Sequence, residues 1–195
     1  MIKIFGGVAK GFTLKTPSSS ATRPTSVLLR RKLFDSLQSL EGFLFVDLCA
    51  GTGSVGLEAA SRNAEKVIFV ENSKQAFHTL KSNLSDVKKK YPLLKTEFES
   101  YQIDFKKWYT TIFKEQLYGN RAEYTCLIFF DPPYEKKEAY ENLMALVKES
   151  DFRGKLVIEA CEQKTMKMKD FEKAFGKYQK LFKQGSRYFV IYDFD

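Results

Sequence analysis

Asp131-Pro132-Pro133-Tyr134 closes the apolar run Leu127 to Phe130 with an acid, a stiff backbone and a ring. Proline has no N–H for a sheet ladder, so the pair also marks a place where a strand simply turns out of the core. A chemical reading stands beside that one. The carboxylate of Asp131 and the carbonyl of Pro132 are two acceptors, and Pro133 fixes the direction of that carbonyl. Two acceptors match the two N–H bonds of an exocyclic amine on a planar base. Such an amine shares its lone pair with the ring and must be held so that the pair points at an electrophile. Tyr134 can stack on the base, taken from a helix or met in a loop. Alkylation creates positive charge on the nitrogen, which Asp131 would stabilise, and much of the rate would come from positioning.

A second constellation lies earlier in the chain. Phe43 to Leu48 runs into Cys49-Ala50-Gly51-Thr52-Gly53-Ser54-Val55-Gly56, which places glycines at a strand-to-helix turn. They permit positive φ and close approach of a ligand, and the helix start offers free N–H groups. Glu71 ends the next apolar run, 20 residues after Gly51, where a carboxylate can accept ribose hydroxyls. A nicotinamide dinucleotide and S-adenosylmethionine both use such a turn. Asp47 favours the second: an acid at the mouth of the strand repels a pyrophosphate and can face the ammonium of a methionine moiety. Asn72 follows Glu71. Asp104, with the backbone of Phe105, is a partner for an adenine amine, or else a helix N-cap. No metal ligands are assigned, because the three cysteines are scattered and His78 is the only histidine.

These residues need a scaffold. Strand-like and helix-like segments alternate from Phe43: Phe43 to Leu48, a helix Ser54 to Asn63, Lys66 to Glu71, a helix Ser73 to Lys90, a weaker strand at Thr96 to Ser100, and a helix from Phe105 to Leu117. Then come Cys126 to Phe130, a helix Lys136 to Glu149, Lys155 to Ala160, and an antiparallel hairpin turning at Gln184-Gly185-Ser186. Alternation of this kind implies right-handed crossovers and a doubly wound, mainly parallel sheet covered on both faces. Gly53 and Asp131 are 78 residues apart, so both loops belong at the carboxyl ends of strands flanking the switch point, facing one cleft.

The 195 residues fit one main domain with a small appendage, and 44% apolar with 29% charged residues is ordinary globular composition. Residues 1–22 read as a basic hairpin extension with a Ser-rich linker, and 23–195 as the main domain with its leading helix. No apolar run is long enough for a bilayer, and the glycines after Phe5 interrupt any signal core, which favours the cytoplasm. Net charge is +8, and the first forty residues hold seven Lys or Arg against Asp35 alone. An anionic partner is expected there; the seven lysines from Lys164 to Lys183 fit either RNA or a solvated face. Trp108 and Tyr109 read as helix packing, and His78 as without a role.

The chain resembles the RsmD-type 16S rRNA guanine-N2 methyltransferases. The likeness is carried by Ile2 to Gly11, by Arg23-Pro24-Thr25-Ser26 with Arg30, by the Asp47 to Arg62 block, by Glu71, and by Phe129 to Tyr134. It implies a class I, Rossmann-like fold with a seven-stranded sheet, and methyl transfer from S-adenosylmethionine to the N2 amine of a guanine in small-subunit ribosomal RNA. A whole or partly assembled particle is the implied partner and a monomer the expected state. Asp47, with Ala50, Gly51, Thr52 and Gly53, would hold the donor's amino-acid end, Glu71 and Asn72 its ribose, and Asp104 and Phe105 its adenine. Asp131, Pro132, Pro133 and Tyr134 would hold guanine, while Arg23, Thr25 and Arg30 would contact the RNA. Val27 and Leu28 stand where the family usually has an acid and an arginine, and Asn72 where an aspartate is frequent. An Asp-Pro-Pro-Tyr motif is shared with DNA adenine-N6 methyltransferases, but 195 residues leave little room for a separate target-recognition domain.

Overall fold

A computed structural model describes residues 2–17, 27–113, 124–162 and 166–194. Two short strands, β1 (Ile2–Lys3) and β2 (Thr13–Leu14), pair antiparallel, and α1 (Val27–Leu37) follows. The main alternation is β3 (Phe43–Leu48), α2 (Ser54–Ser61), β4 (Lys66–Glu71), α3 (Lys74–Lys90), β5 (Glu97–Gln102) and α4 (Phe105–Trp108) with a wider turn over Tyr109–Phe113. It continues with β6 (Thr125–Phe130), α5 (Lys137–Glu149), β7 (Gly154–Cys161), α6 (Met168–Phe175), β8 (Lys180–Gln184) and β9 (Arg187–Phe194).

Seven strands form one sheet in the order β5-β4-β3-β6-β7-β9-β8. All neighbours from β5 to β7 are parallel, and β9 alone reverses, antiparallel to both β7 and β8. The closing hairpin thus inserts its second strand inside the sheet and leaves the first at the edge. The winding changes direction between β3 and β6, the place where ligands bind in open α/β sheets.

The apolar runs form strands because both faces are covered. Phe45, Val67, Phe69, Leu127, Phe129, Phe189 and Ile191 share one core with α1, α2, α3 and the N-terminal hairpin. The alternate positions Leu44, Val46, Ile68, Ile128, Phe130, Ile158 and Tyr188 share the other with α4, α5 and α6. A period of two between faces, each apolar, is what a buried parallel strand requires. Each large side chain so buried contributes about 1.5–3 kcal/mol. Ser73 caps α3 by accepting the Ala76 N–H, and the three lysines closing that helix meet its negative end.

The N-terminal hairpin is stitched to the sheet's helices. Glu58 of α2 accepts the N–H groups of Phe5 and Gly6 at 2.7 and 2.9 Å, Ser61 accepts that of Ala9, and Asn83 of α3 accepts that of Lys15. Ile4, Ala9, Phe12 and Leu14 belong to the same core as Phe45. The expected linker, with Arg23 and Thr25, lies outside the described residues. Helix α6 lies within the lysine-rich stretch that sequence left unassigned between solvated face and RNA contact. No helix among the described residues is long and apolar enough to cross a membrane.

Candidate active site

Asp47↔Phe129 and Leu48↔Phe130 are partners in register across β3 and β6, so Cys49 to Gly53 and Asp131 to Tyr134 leave the sheet at the same level, side by side. Neither loop could reach the other if β3 and β6 were not neighbours. The turn after β3 is built from left-handed residues: Cys49, Gly51 and Gly53 have φ of 64°, 55° and 81°. The Ala50 N–H anchors it by donating to the Val70 carbonyl of β4 at 3.0 Å, and Thr52 is buried with its carbonyl taken by the Asn83 amide.

The glycines divide into two kinds. A Cβ on Gly51 would meet no protein atom within 4 Å, so the space over the turn is open to a ligand. A Cβ on Gly56 would lie 2.3 Å from the Phe69 ring, so that glycine serves close packing of α2 on β4. Gly53 belongs with the second kind, a Cβ there lying 2.4 Å from Leu80, and its positive φ also serves the turn.

Glu71 braces the turn: one carboxylate oxygen accepts the Gly51 N–H and the other the Ser73 N–H, each at 2.7 Å. Each oxygen keeps a further lone pair for a hydroxyl. Asn72 is exposed beside it. Asp104 is exposed and caps α4, its Oδ1 accepting the Lys106 and Lys107 N–H groups. Phe105 is buried with its ring tilted against that of Phe130, so its backbone is what it offers at the rim.

Three expectations need correction. Asp47 is 2% exposed and lies beneath the turn, where its Oδ2 accepts the Gly56 N–H at 2.8 Å. Burial pushes its carboxyl up to about 8, and it braces the turn from beneath rather than lining the open space over Gly51, so a direct contact with an ammonium is not offered. Arg30 is turned inward, 1% exposed, donating to the carbonyls of Lys3 at 2.6 Å and Ser54 at 3.3 Å with Phe5 against its guanidinium. It ties hairpin, α1 and α2 together and is out of reach of a phosphate. Tyr134 is no free stacking platform: it is 8% exposed, its hydroxyl donates to Glu159 Oε1 at 2.6 Å, and Arg187 lies 5.8 Å from its ring centre.

Pro132 is buried, Pro133 exposed and Asp131 half-buried. Trp108 and Tyr109 are fully buried packing residues, and His78 is exposed. Sequence reasoning missed Glu159 and Asn83. An acid inside the apolar run Leu156 to Cys161 was the available signal for the first; nothing in the sequence pointed to the second.

The field at this rim is negative. Burial, then the charges of Glu71 and Asp131 with Asp104 beyond, pushes the Cys49 thiol well up. A pyrophosphate would be repelled here, whereas a sulfonium with an ammonium would be attracted. Together with the open space over Gly51, this donor set fits S-adenosylmethionine.

The strand order and the paired loops define a class I, S-adenosylmethionine-dependent methyltransferase. Over residues 2–193 the sequence matches the family model described as Conserved hypothetical protein 95, and the chain belongs to this family, that of the RsmD-type enzymes. It is 32% identical to YlbH of Bacillus subtilis (strain 168), provisionally named an rRNA methyltransferase, over 76% of this chain and 74% of that one. It is 36% identical to the ribosomal RNA small subunit methyltransferase D of Haemophilus influenzae, over 45% of this chain and 46% of that one. Among solved structures, the Thermus thermophilus 16S rRNA N2 G1207 methyltransferase, in complex with AdoMet and guanosine, superposes with a TM-score of 0.62 at 21% identity, over 91% of this chain and 45% of that one.

Proposed function

We propose that the protein transfers the methyl group of S-adenosylmethionine to the exocyclic N2 amine of a guanine in 16S ribosomal RNA, within a small ribosomal subunit or an assembly intermediate. One observation carries this: the glycine turn after β3 and the Asp-Pro-Pro-Tyr turn after β6 leave adjacent strands in register, so a donor site and an amine site adjoin. The names of the YlbH and methyltransferase D relatives support the RNA class, and the guanosine complex supports the base.

S-adenosylmethionine supplies an electrophilic methyl on a sulfonium sulfur. The Gly51 to Gly53 turn cradles its amino-acid end, Glu71 and Asn72 the ribose, and Asp104 with the Phe105 backbone the adenine. On the other side, Asp131 and the Pro132 carbonyl each accept one N–H of the amine, which leaves the nitrogen lone pair directed at the donor side. Asp131 stabilises the positive charge that grows on nitrogen and takes up the proton released afterwards. Pro133 and the edge of Tyr134 bound the base, while Arg23 and Thr25 meet the RNA backbone.

The test offers small ribosomal particles from an unmodified strain together with labelled donor, and maps the product nucleotide by mass spectrometry. N2-methylguanosine at one position is expected; label appearing as N6-methyladenosine would overturn the choice of base.

A further inference from the structure

Glu159 lies in the middle of β7, wholly out of solvent. Its Oε1 accepts the Tyr134 hydroxyl at 2.6 Å, and its backbone carbonyl accepts that of Tyr140 at 3.1 Å. Its Oε2 meets no N–H or O–H donor among the described residues. What the side chain faces is another acid, the carboxyl of Asp131, within hydrogen-bonding contact. Two ionised carboxylates in contact present acceptors only; one proton between them makes one a donor and satisfies both. Among the described residues the charges of Arg187 and Arg30 reach Glu159, but neither donates a hydrogen bond to its Oε2. Arg187 lies over the Tyr134 ring, and Arg30 binds the Lys3 and Ser54 carbonyls.

We propose that Glu159 is a positioning residue that keeps a proton and donates it as a hydrogen bond to Asp131, so that the pair carries one negative charge, placed on the Asp131 carboxylate that meets the substrate amine. The inference rests on the reading of Asp131 as the amine acceptor. Burial and the neighbouring Asp131 charge both push the Glu159 carboxyl well above the ordinary carboxylate range. The chain Tyr134 hydroxyl to Glu159 to Asp131 then ends on the charged acceptor, and rotation of the Asp131 carboxylate would break it. Asp131 is held in direction without losing its charge, which the alkylated nitrogen requires.

Glu159→Gln and Glu159→Ala separate this from a space-filling role. The amide of Gln can donate to Asp131 and accept from Tyr134; Ala can do neither. With labelled donor and ribosomal particles, E159A is expected to lose roughly 100-fold in kcat, the scale of a misplaced catalytic group. S-adenosylhomocysteine affinity should be little changed, and E159Q should recover most of the lost rate. Tyr134, Tyr140, Arg187, Arg30 and Asp131 also face the group, so Tyr134→Phe serves as the control for the phenol. An infrared difference spectrum between wild type and E159Q at neutral pH should show a protonated carboxyl band that the variant loses.

E159Q as inactive as E159A, or no protonated band in the difference spectrum, would each overturn the proposal. Should E159A fail to fold, E159Q and the infrared band decide. Wild-type protein that shows the band and binds S-adenosylhomocysteine but never transfers a methyl group would overturn the proposed function and leave the Glu159 proton standing.

Discussion

Glu71 Oε2 accepts the Gly51 N–H at 2.7 Å, so the acid that ends β4 holds the ligand turn that leaves β3. Its other oxygen holds Ser73, the cap of α3. One carboxylate therefore fixes two backbone segments before any ribose arrives. Hydrogen bonds to a charged group contribute about 1.5–3 kcal/mol. Glu71→Ala is expected to weaken S-adenosylhomocysteine binding by roughly 10- to 100-fold on that scale, and Glu71→Gln less, since its amide retains one acceptor. Titration calorimetry checks both.

Asp131→Asn keeps shape and one acceptor but loses the charge facing the alkylated nitrogen. Loss of one preorganised electrostatic group costs about 10²–10³ in rate. The expected outcome is a kcat decrease on that scale with S-adenosylhomocysteine affinity nearly intact. Equal loss of binding and rate would place Asp131 in the donor site instead.

Asp47 makes stability depend on pH. Its carboxyl stands at about 8 in the folded protein against an ordinary 3.8. Between these values the folded chain binds a proton that the unfolded chain does not, so stability is full below the lower value and falls as pH rises toward the upper. The steepest fall from this group is about 1.4 kcal/mol per pH unit. Asp47→Asn, whose carbonyl still accepts the Gly56 N–H, should flatten that part of the curve and gain on wild type from pH 5 to 8. Urea unfolding across that range measures it.

Arg30 distinguishes a structural cation from an RNA contact. Arg30→Ala removes both carbonyl bonds and the contact with Phe5 and leaves a buried gap, and a destabilisation of about 2–4 kcal/mol is expected in urea unfolding. The salt dependence of RNA binding should keep its wild-type slope, since no phosphate contact is lost. A slope reduced by about one would return Arg30 to the RNA surface.

Gly56→Ala tests the close approach of α2 to β4. The new methyl would sit 2.3 Å from the Phe69 ring, and overpacking of this kind costs about 1–3 kcal/mol. Thermal unfolding gives the loss. S-adenosylhomocysteine affinity should change less than it does in Glu71→Ala, because Gly56 packs against the sheet and Gly51 faces the ligand space.

The strands were legible because central parallel strands must be apolar on both faces: Phe43 to Leu48, Lys66 to Glu71 and Cys126 to Phe130 read as strands and lie in strands. Helix α6 was less legible, since its lysines fit a solvated face or an RNA contact and do not by themselves mark a helix. Local chemistry also named the two turns. Glycines at Gly51 and Gly53, and prolines at Pro132 and Pro133, constrain the backbone whatever surrounds them.

By itself, then, the sequence determined which segments cross the core, where they stop, and which residue types stand at those stops, because propensity, period and turn chemistry act over a few neighbours. Only the tertiary structure decided which way the side chains face and what they meet: Asp47 under its turn, Arg30 turned to Lys3 and Ser54, and Tyr134 bound to Glu159 from a strand 25 residues away. Those partners come from other elements, and whether a polar group points to solvent or inward depends on whether another element satisfies it once water is gone.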